Sequence, residues 1–155
     1  YRSGAIHAKS HVNVNSSWPN WEVKGEFQAP YVRGAWPAFW LTGAWGWPPE
    51  IDIMEYKGDR NCWQNTYDGG WETKTTYVSN PLSWHEYRAW MTRSGNNVNV
   101  HLYIDGSWKV MQTGNNFAGQ PMWIIINLQM EGSSGSPGPA EAQMYARNVY
   151  VGRGN

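Results

Sequence analysis

The sequence predicts an all-β protein: an antiparallel β-sandwich formed as a single domain over residues 1–155. Three observations support this. Short runs of apolar–polar alternation recur along the whole chain, punctuated by Gly, Asn, Asp and Pro. No window keeps an i, i+3, i+4, i+7 apolar stripe for more than about ten residues, so helices are not expected. With 15% aromatic and only 15% charged residues in 155, the chain can bury one core and lacks the composition of a disordered segment.

The elements follow in order. "SGAIHAKSHVNVN" opens with a strand, and "WEVKGEFQAPYV" alternates Trp21, Val23 and Phe27 until Pro30 closes it. "GAWPAFWLTG" is an aromatic-dense strand ending at Gly43, and the acidic run "EIDIME" is the next. "CWQNTYDGG" and "TKTTYV" form a strand or a pair around the turn Asp68-Gly69-Gly70. "WHEYRAWMTR" turns through "SGNN" into "VNVHLYI", and Asp105-Gly106 is a hairpin signal leading into "SWKVMQT". "PMWIIINLQM" is a continuous apolar run, as a strand buried on both faces would be. The Gly/Ser/Pro stretch "EGSSGSPGP" is a flexible loop before the last strand, "AQMYARNVYV".

Charge and cysteine content narrow the function. The formal net charge is zero, so no global field favours nucleic acid or a membrane surface. No run of about 18 apolar residues is present, and "YRSGAIHAKS" lacks the apolar block of a signal peptide. The expectation is a soluble chain whose secretion signal was removed or never present. Cys62 is the single cysteine, without a His partner in a nucleophile arrangement, and reads as a buried thiol. Asn15-Ser16-Ser17 is a glycosylation acceptor triplet of a kind that is common by chance. Twelve Trp exceed what a core needs and suggest flat faces offered to a ligand.

The most informative stretch is "WPPEIDIMEYKG", with Glu50, Asp52 and Glu55 among Ile51, Ile53 and Met54. In a regular strand Glu50 and Asp52 share one face, and Glu55 points the other way with the isoleucines. Burying an unpaired charge there is costly. A β-bulge near Ile53-Met54 returns Glu55 to the acid face. Two inward-leaning Glu carboxyls then reach the roughly 5–5.5 Å that a retaining glycosidic cleavage needs, against about 6.5–9.5 Å for an inverting one. Like charges raise the proton affinity of Glu55, making it an acid for the leaving oxygen while ionised Glu50 attacks the anomeric carbon. Asp52 is placed to hydrogen-bond Glu50. The spacing by itself also suits a Ca²⁺ site or a polar sheet face.

"GAWPAFWLTG" followed by "WPPEIDIMEY" resembles the central signature of glycoside hydrolase family 16. The resemblance implies a concanavalin-like β-jelly roll and a retaining endo-β-glycanase. Its E-x-D-x-x-E motif falls on Glu50 (nucleophile), Asp52 (assisting acid) and Glu55 (general acid/base). "YRSGAIHAK", "WHEYRAW", "YIDG", "MWIIINLQMEG" and "MYARNVYVG" resemble other family segments in the family's order. Two departures stand out. The family's N-terminal strands are expected to be missing: removed, supplied by a complementary chain, or absent from a compact version. A His that many bulged members carry is replaced here by Asn65 or Tyr67.

The resemblance also implies substrate contacts. Trp36 and Trp40 lie near the cleft, as sugar platforms or as core. Trp45 and Trp47 sit on its rim, Trp63 and Trp71 are weaker candidates, and Trp90 and Trp123 read as core. Arg33 and Arg60 flank the region. Asn127 and Gln129 share a strand face, with Gln129 the preferred sugar contact. His85 reads as structural.

The expected substrate is a β-1,3-glucan such as laminarin, with a galactan or mixed-linkage glucan as alternative and a non-catalytic binding module or fragment as the competing class. Retention of all three acids favours the enzyme. No cofactor is expected to be required, a structural calcium is allowed for, and the expected location is extracellular.

Overall fold

A computed structural model describes residues 2–130 and 138–154. These residues form eleven strands and no helix. In chain order they are β1 (Gly4–His7), β2 (Asn20–Gln28), β3 (Ala35–Gly43), β4 (Glu50–Glu55), β5 (Asn61–Tyr67), β6 (Trp71–Tyr77), β7 (His85–Ser94), β8 (Asn97–Ile104), β9 (Ser107–Gly114), β10 (Met122–Met130) and β11 (Tyr145–Gly154). Seven residues of the expected flexible loop, 131–137, lie outside the described residues.

The strands form two antiparallel sheets. One is six-stranded in the order β1-β10-β3-β4-β5-β6, and the other is five-stranded in the order β11-β2-β7-β8-β9. The period-2 pattern of β2 decides its faces: Trp21, Val23 and Phe27 are buried between the sheets while Glu22, Lys24 and Glu26 are not. Phe27 meets Phe39 of β3 across the sandwich at a ring separation of 4.8 Å. Ile51, Ile53, Met91, Val100 and Leu102 complete the centre of one continuous core.

The short turns follow their chemistry. Asp105 and Gly106 both have positive φ, 51° and 72°, so β8 and β9 close through the two-residue loop expected of Asp-Gly, with Ile104 paired to Ser107. "CWQNTYDGG" and "TKTTYV" resolve as the hairpin β5–β6, closed by Tyr67 opposite Trp71.

Three expectations about burial are corrected. β10 is not buried on both faces: Met122 and Ile124 face the core, whereas Trp123, Ile125 and Gln129 face out. An apolar run does not distinguish a strand buried on both faces from one whose outer face lines a site. Trp123 packs edge-on against His7 and His11 on that outer face. Trp90 is likewise outside, because Tyr87, Ala89 and Met91 of β7 take the inward positions.

Among the described residues the sandwich is open along one edge. All four residues of β1 are exposed, Ile6 among them, and Tyr145, Val149, Tyr150 and Val151 of β11 are exposed as well. A hollow of about 910 Å³ lies there, lined in part by Ile6, Ile126, Leu128, Met144 and Tyr145. Asn127 and Gln129 border it, but none of the three acids does.

Candidate active site

The acids lie on β4, between the aromatic strand β3 and the polar strand β5. On the β5 side Glu50 pairs with Tyr67, Ile51 with Thr66 and Asp52 with Asn65, and the register then jumps to Glu55 opposite Trp63. On the β3 side Asp52 pairs with Trp40 and Met54 with Phe39, so Ile53 has no register partner on either neighbour. This is the bulge that the position of Glu55 required. Ile51, Ile53 and Met54 all enter the core, while Glu50, Asp52 and Glu55 share the outer face with Trp36, Trp40, Trp63, Asn65 and Tyr67. Alternation resumes after the bulge. Tyr56 turns inward to hydrogen-bond the Tyr87 hydroxyl at 2.7 Å, and Lys57 returns to the acid face.

Each acid has its own partners. Glu50 Oε2 accepts a 2.7 Å hydrogen bond from Trp47 Nε1. Glu55 Oε1 accepts one of 2.7 Å from Trp36 Nε1, and its Oε2 accepts 3.0 Å from Asn65 Nδ2 and forms a 3.3 Å ion pair with Lys57 Nζ. The same Asn65 amide donates to Asp52 Oδ2 at 2.8 Å, bridging the two carboxyls. Lys57 is held over the rings of Trp36 and Trp63, at 4.8 Å and 5.4 Å from their centroids. The trio thus faces indole and amide donors and an ammonium group. Among the described residues no group of three or more His, Cys, Asp or Glu side chains is arranged to hold a metal ion.

Burial dominates the electrostatics of Asp52 and Glu50. Asp52 carries the large shift: burial, then the charge of Glu55, push its carboxyl up to about 8, with the Asn65 hydrogen bond opposing. Glu50 is also raised, by burial first, and the Trp47 hydrogen bond and Lys57 pull it back. Asp52, the most buried of the three, therefore holds its proton to higher pH than a free aspartate. Its hydrogen bond runs to Asn65 rather than to Glu50.

The remaining candidates separate into two groups. Trp47 stacks on Tyr67 at 4.2 Å and 10°, and Tyr67 tilts against Trp71 at 4.7 Å, giving an aromatic strip beside Glu50. Trp40 Nε1 donates to Asn127 Oδ1 at 2.7 Å, which fixes the floor on the β10 side. Gln129 pairs opposite Trp36 and is exposed on the same face. Trp45 is 79% exposed on the loop leading into β4. Arg60 is tied elsewhere: its guanidinium stacks on Tyr31 and donates to the Tyr31 and Tyr77 hydroxyls. Arg33 lies in the turn before β3, its backbone close against Gly58. His85 bridges Asp105 and the Asn80 carbonyl, a structural pairing as expected, and Cys62 is a buried free thiol.

Lys57 was missed by the sequence reading. Its signal was present, because counting by twos from Glu55 after the bulge puts Lys57 on the acid face.

The comparisons bear on the fold. No protein-family model matches the chain. It is 50% identical over 158 residues to a galactan endo-β-1,3-galactanase of Flammulina velutipes, an alignment covering 99% of this chain and 63% of that protein. The endo-1,3-β-glucanase of Streptomyces sioyaensis superposes with a TM-score of 0.73 over 97% of this chain and 68% of its own, at 22% identity. A non-specific endo-β-1,3(4)-glucanase of family GH16 superposes over 76% of this chain and 50% of its own, at 20% identity and a TM-score of 0.59. The chain has the fold of glycoside hydrolase family 16. The expected all-β jelly-roll sandwich of that family is thus the observed architecture, and the chain spans less than two thirds of the galactanase.

Proposed function

We propose that this family 16 fold carries a retaining endo-β-glycanase acting on a β-1,3-linked polysaccharide. The supporting observation is the bulged strand that brings Glu50, Asp52 and Glu55 to one face, with Glu50 and Glu55 held by separate indole donors. In this reading Glu50 attacks the anomeric carbon and Glu55 protonates the leaving oxygen, then deprotonates the incoming water. Asp52, neutral between them, adds no further negative charge to the pair. The Trp47–Tyr67–Trp71 strip offers ring faces to the sugars, and Gln129 offers an amide.

The half-identity to a galactan endo-β-1,3-galactanase favours a galactan backbone, and the β-1,3-glucan expected from the motif shares its linkage. Galactose and glucose differ only at C4, so the linkage is the better supported part of the reading. An internally cut polymer is met outside the cell, in keeping with a secreted protein. We also propose that a further β-strand-forming segment covers the open edge at β1 and β11, where edge strands and apolar side chains are exposed. Melting with and without such a polypeptide tests this: no gain in stability refutes it. Activity is tested by release of new reducing ends from β-1,3-galactan, laminarin, mixed-linkage glucan and agarose. Turnover of a β-1,3 substrate, lost in Glu50→Gln, is the expected result. A folded wild type inactive on all four contradicts the reading.

A further inference from the structure

We infer that Gln64, fully buried between the sheets and remote from any sugar, is the positioning residue that holds Glu55 on the acid face. The inference rests on the glycanase reading for its catalytic meaning and on geometry for the rest. β5 turns Cys62, Gln64 and Thr66 toward the core and Trp63, Asn65 and Tyr67 toward the acids. A glutamine in that core is costly unless its amide is used. It is used at one atom. Gln64 Nε2 donates at 3.0 Å to the carbonyl of Ile53, the residue that both neighbouring ladders skip. Its Oε1 is buried with no hydrogen-bond partner. The core therefore tolerates an unsatisfied amide oxygen at a position where its nitrogen meets the bulge.

The other sheet reaches the β5 backbone here but not the Gln64 amide. Gln112 of β9 donates from Nε2 to the Gln64 backbone carbonyl at 3.0 Å and accepts from Thr66 Oγ1 at 2.8 Å. Gln64 stands opposite the two residues Ile53 and Met54, which face one residue of β5. A strand without the bulge would turn Glu55 into the core beside Ile51 and Ile53. The bond from Gln64 to the bulged carbonyl therefore acts on Glu55 through the backbone, with no contact to the carboxyl.

The test uses two indole reporters. Trp36 Nε1 donates to Glu55 and Trp47 Nε1 donates to Glu50, so their ¹H–¹⁵N signals report the two acids separately. Gln64→Met keeps an unbranched side chain of similar length and removes the donor. Gln112→Met is the control: it loses buried polar contacts to the Gln64 backbone and Thr66 but leaves the Gln64 amide bond to the bulge in place. The expected result is a displaced Trp36 signal and an unmoved Trp47 signal in Gln64→Met, with both unmoved in Gln112→Met. In the same variant kcat falls by up to about a hundredfold with KM little changed, as a misplaced catalytic group produces.

An unmoved Trp36 signal, or equal losses of kcat in the two variants, overturns the inference. If Gln64→Met does not fold, Gln64→Glu replaces it, because only its protonated form can donate to the Ile53 carbonyl. The Trp36 signal must then leave the wild-type position as pH rises, and coincidence at every pH overturns the inference. A wild type inactive on every polysaccharide refutes the glycanase reading, while the spectra still decide whether Gln64 holds Glu55.

Discussion

Asp52→Asn should stabilise the protein at neutral pH while impairing it as an enzyme. The carboxyl of Asp52 is raised from 3.8 to about 8, chiefly by burial. Between those values the unfolded chain releases a proton that the folded chain retains, so the native state binds more protons and stability falls as pH rises. At pH 7 the difference is about three pKa units at 1.36 kcal/mol each, an upper bound of about 4 kcal/mol because Glu50 and Glu55 share the coupling. Asparagine has the shape of the protonated acid and still accepts from Asn65 Nδ2, so the substitution removes the cost without opening a cavity. For a chain of this length the gain corresponds to a rise in Tm of at most roughly 15 °C. The assay is thermal unfolding of both proteins from pH 4 to pH 8. The two curves should nearly meet at pH 4 and diverge upward, with the variant more stable. A variant less stable than wild type at pH 7, or a difference independent of pH, refutes the raised proton affinity of Asp52.

Two further outcomes follow from the partners of Glu50 and Glu55. Lys57 lowers the proton affinity of Glu50, so Lys57→Met should move the acid limb of the kcat/KM profile to higher pH; an unmoved limb contradicts the placement of Lys57 in the site. Trp47→Phe keeps a ring to stack on Tyr67 but removes the 2.7 Å hydrogen bond to Glu50. Its kcat/KM should fall about tenfold, the equivalent of one hydrogen bond to a charged group, and an unchanged value shows that Glu50 does not depend on it.

Much of this was legible in the sequence, and the exceptions have physical reasons. Period-2 alternation and Asp-Gly turn chemistry located the strands, and the cost of burying Glu55 located the bulge between Asp52 and Glu55 before any coordinates. Sheet order was not legible, since β10 inserts between β1 and β3 from far along the chain. Apolar side chains misled where they line an outer face, as with Trp90, Trp123 and the β10 run. The sequence offers Asn65 or Tyr67 where a His might be, without deciding between them. The bridge of Asn65 between Asp52 and Glu55 emerges only with β5 paired to β4, because register brings side chains together that sequence distance separates. The upward shift of Asp52 depends on burial depth, which no spacing reveals.

The central claim is that Glu50 attacks the anomeric carbon in a double displacement. The most direct measurement is proton NMR of the reducing ends formed in the first minutes with β-1,3-galactan or laminarin, whichever is turned over. The β-anomer should appear first and mutarotate to the equilibrium mixture, with no signal from Glu50→Gln. First appearance of the α-anomer would contradict the mechanism, because a single displacement by water inverts the configuration.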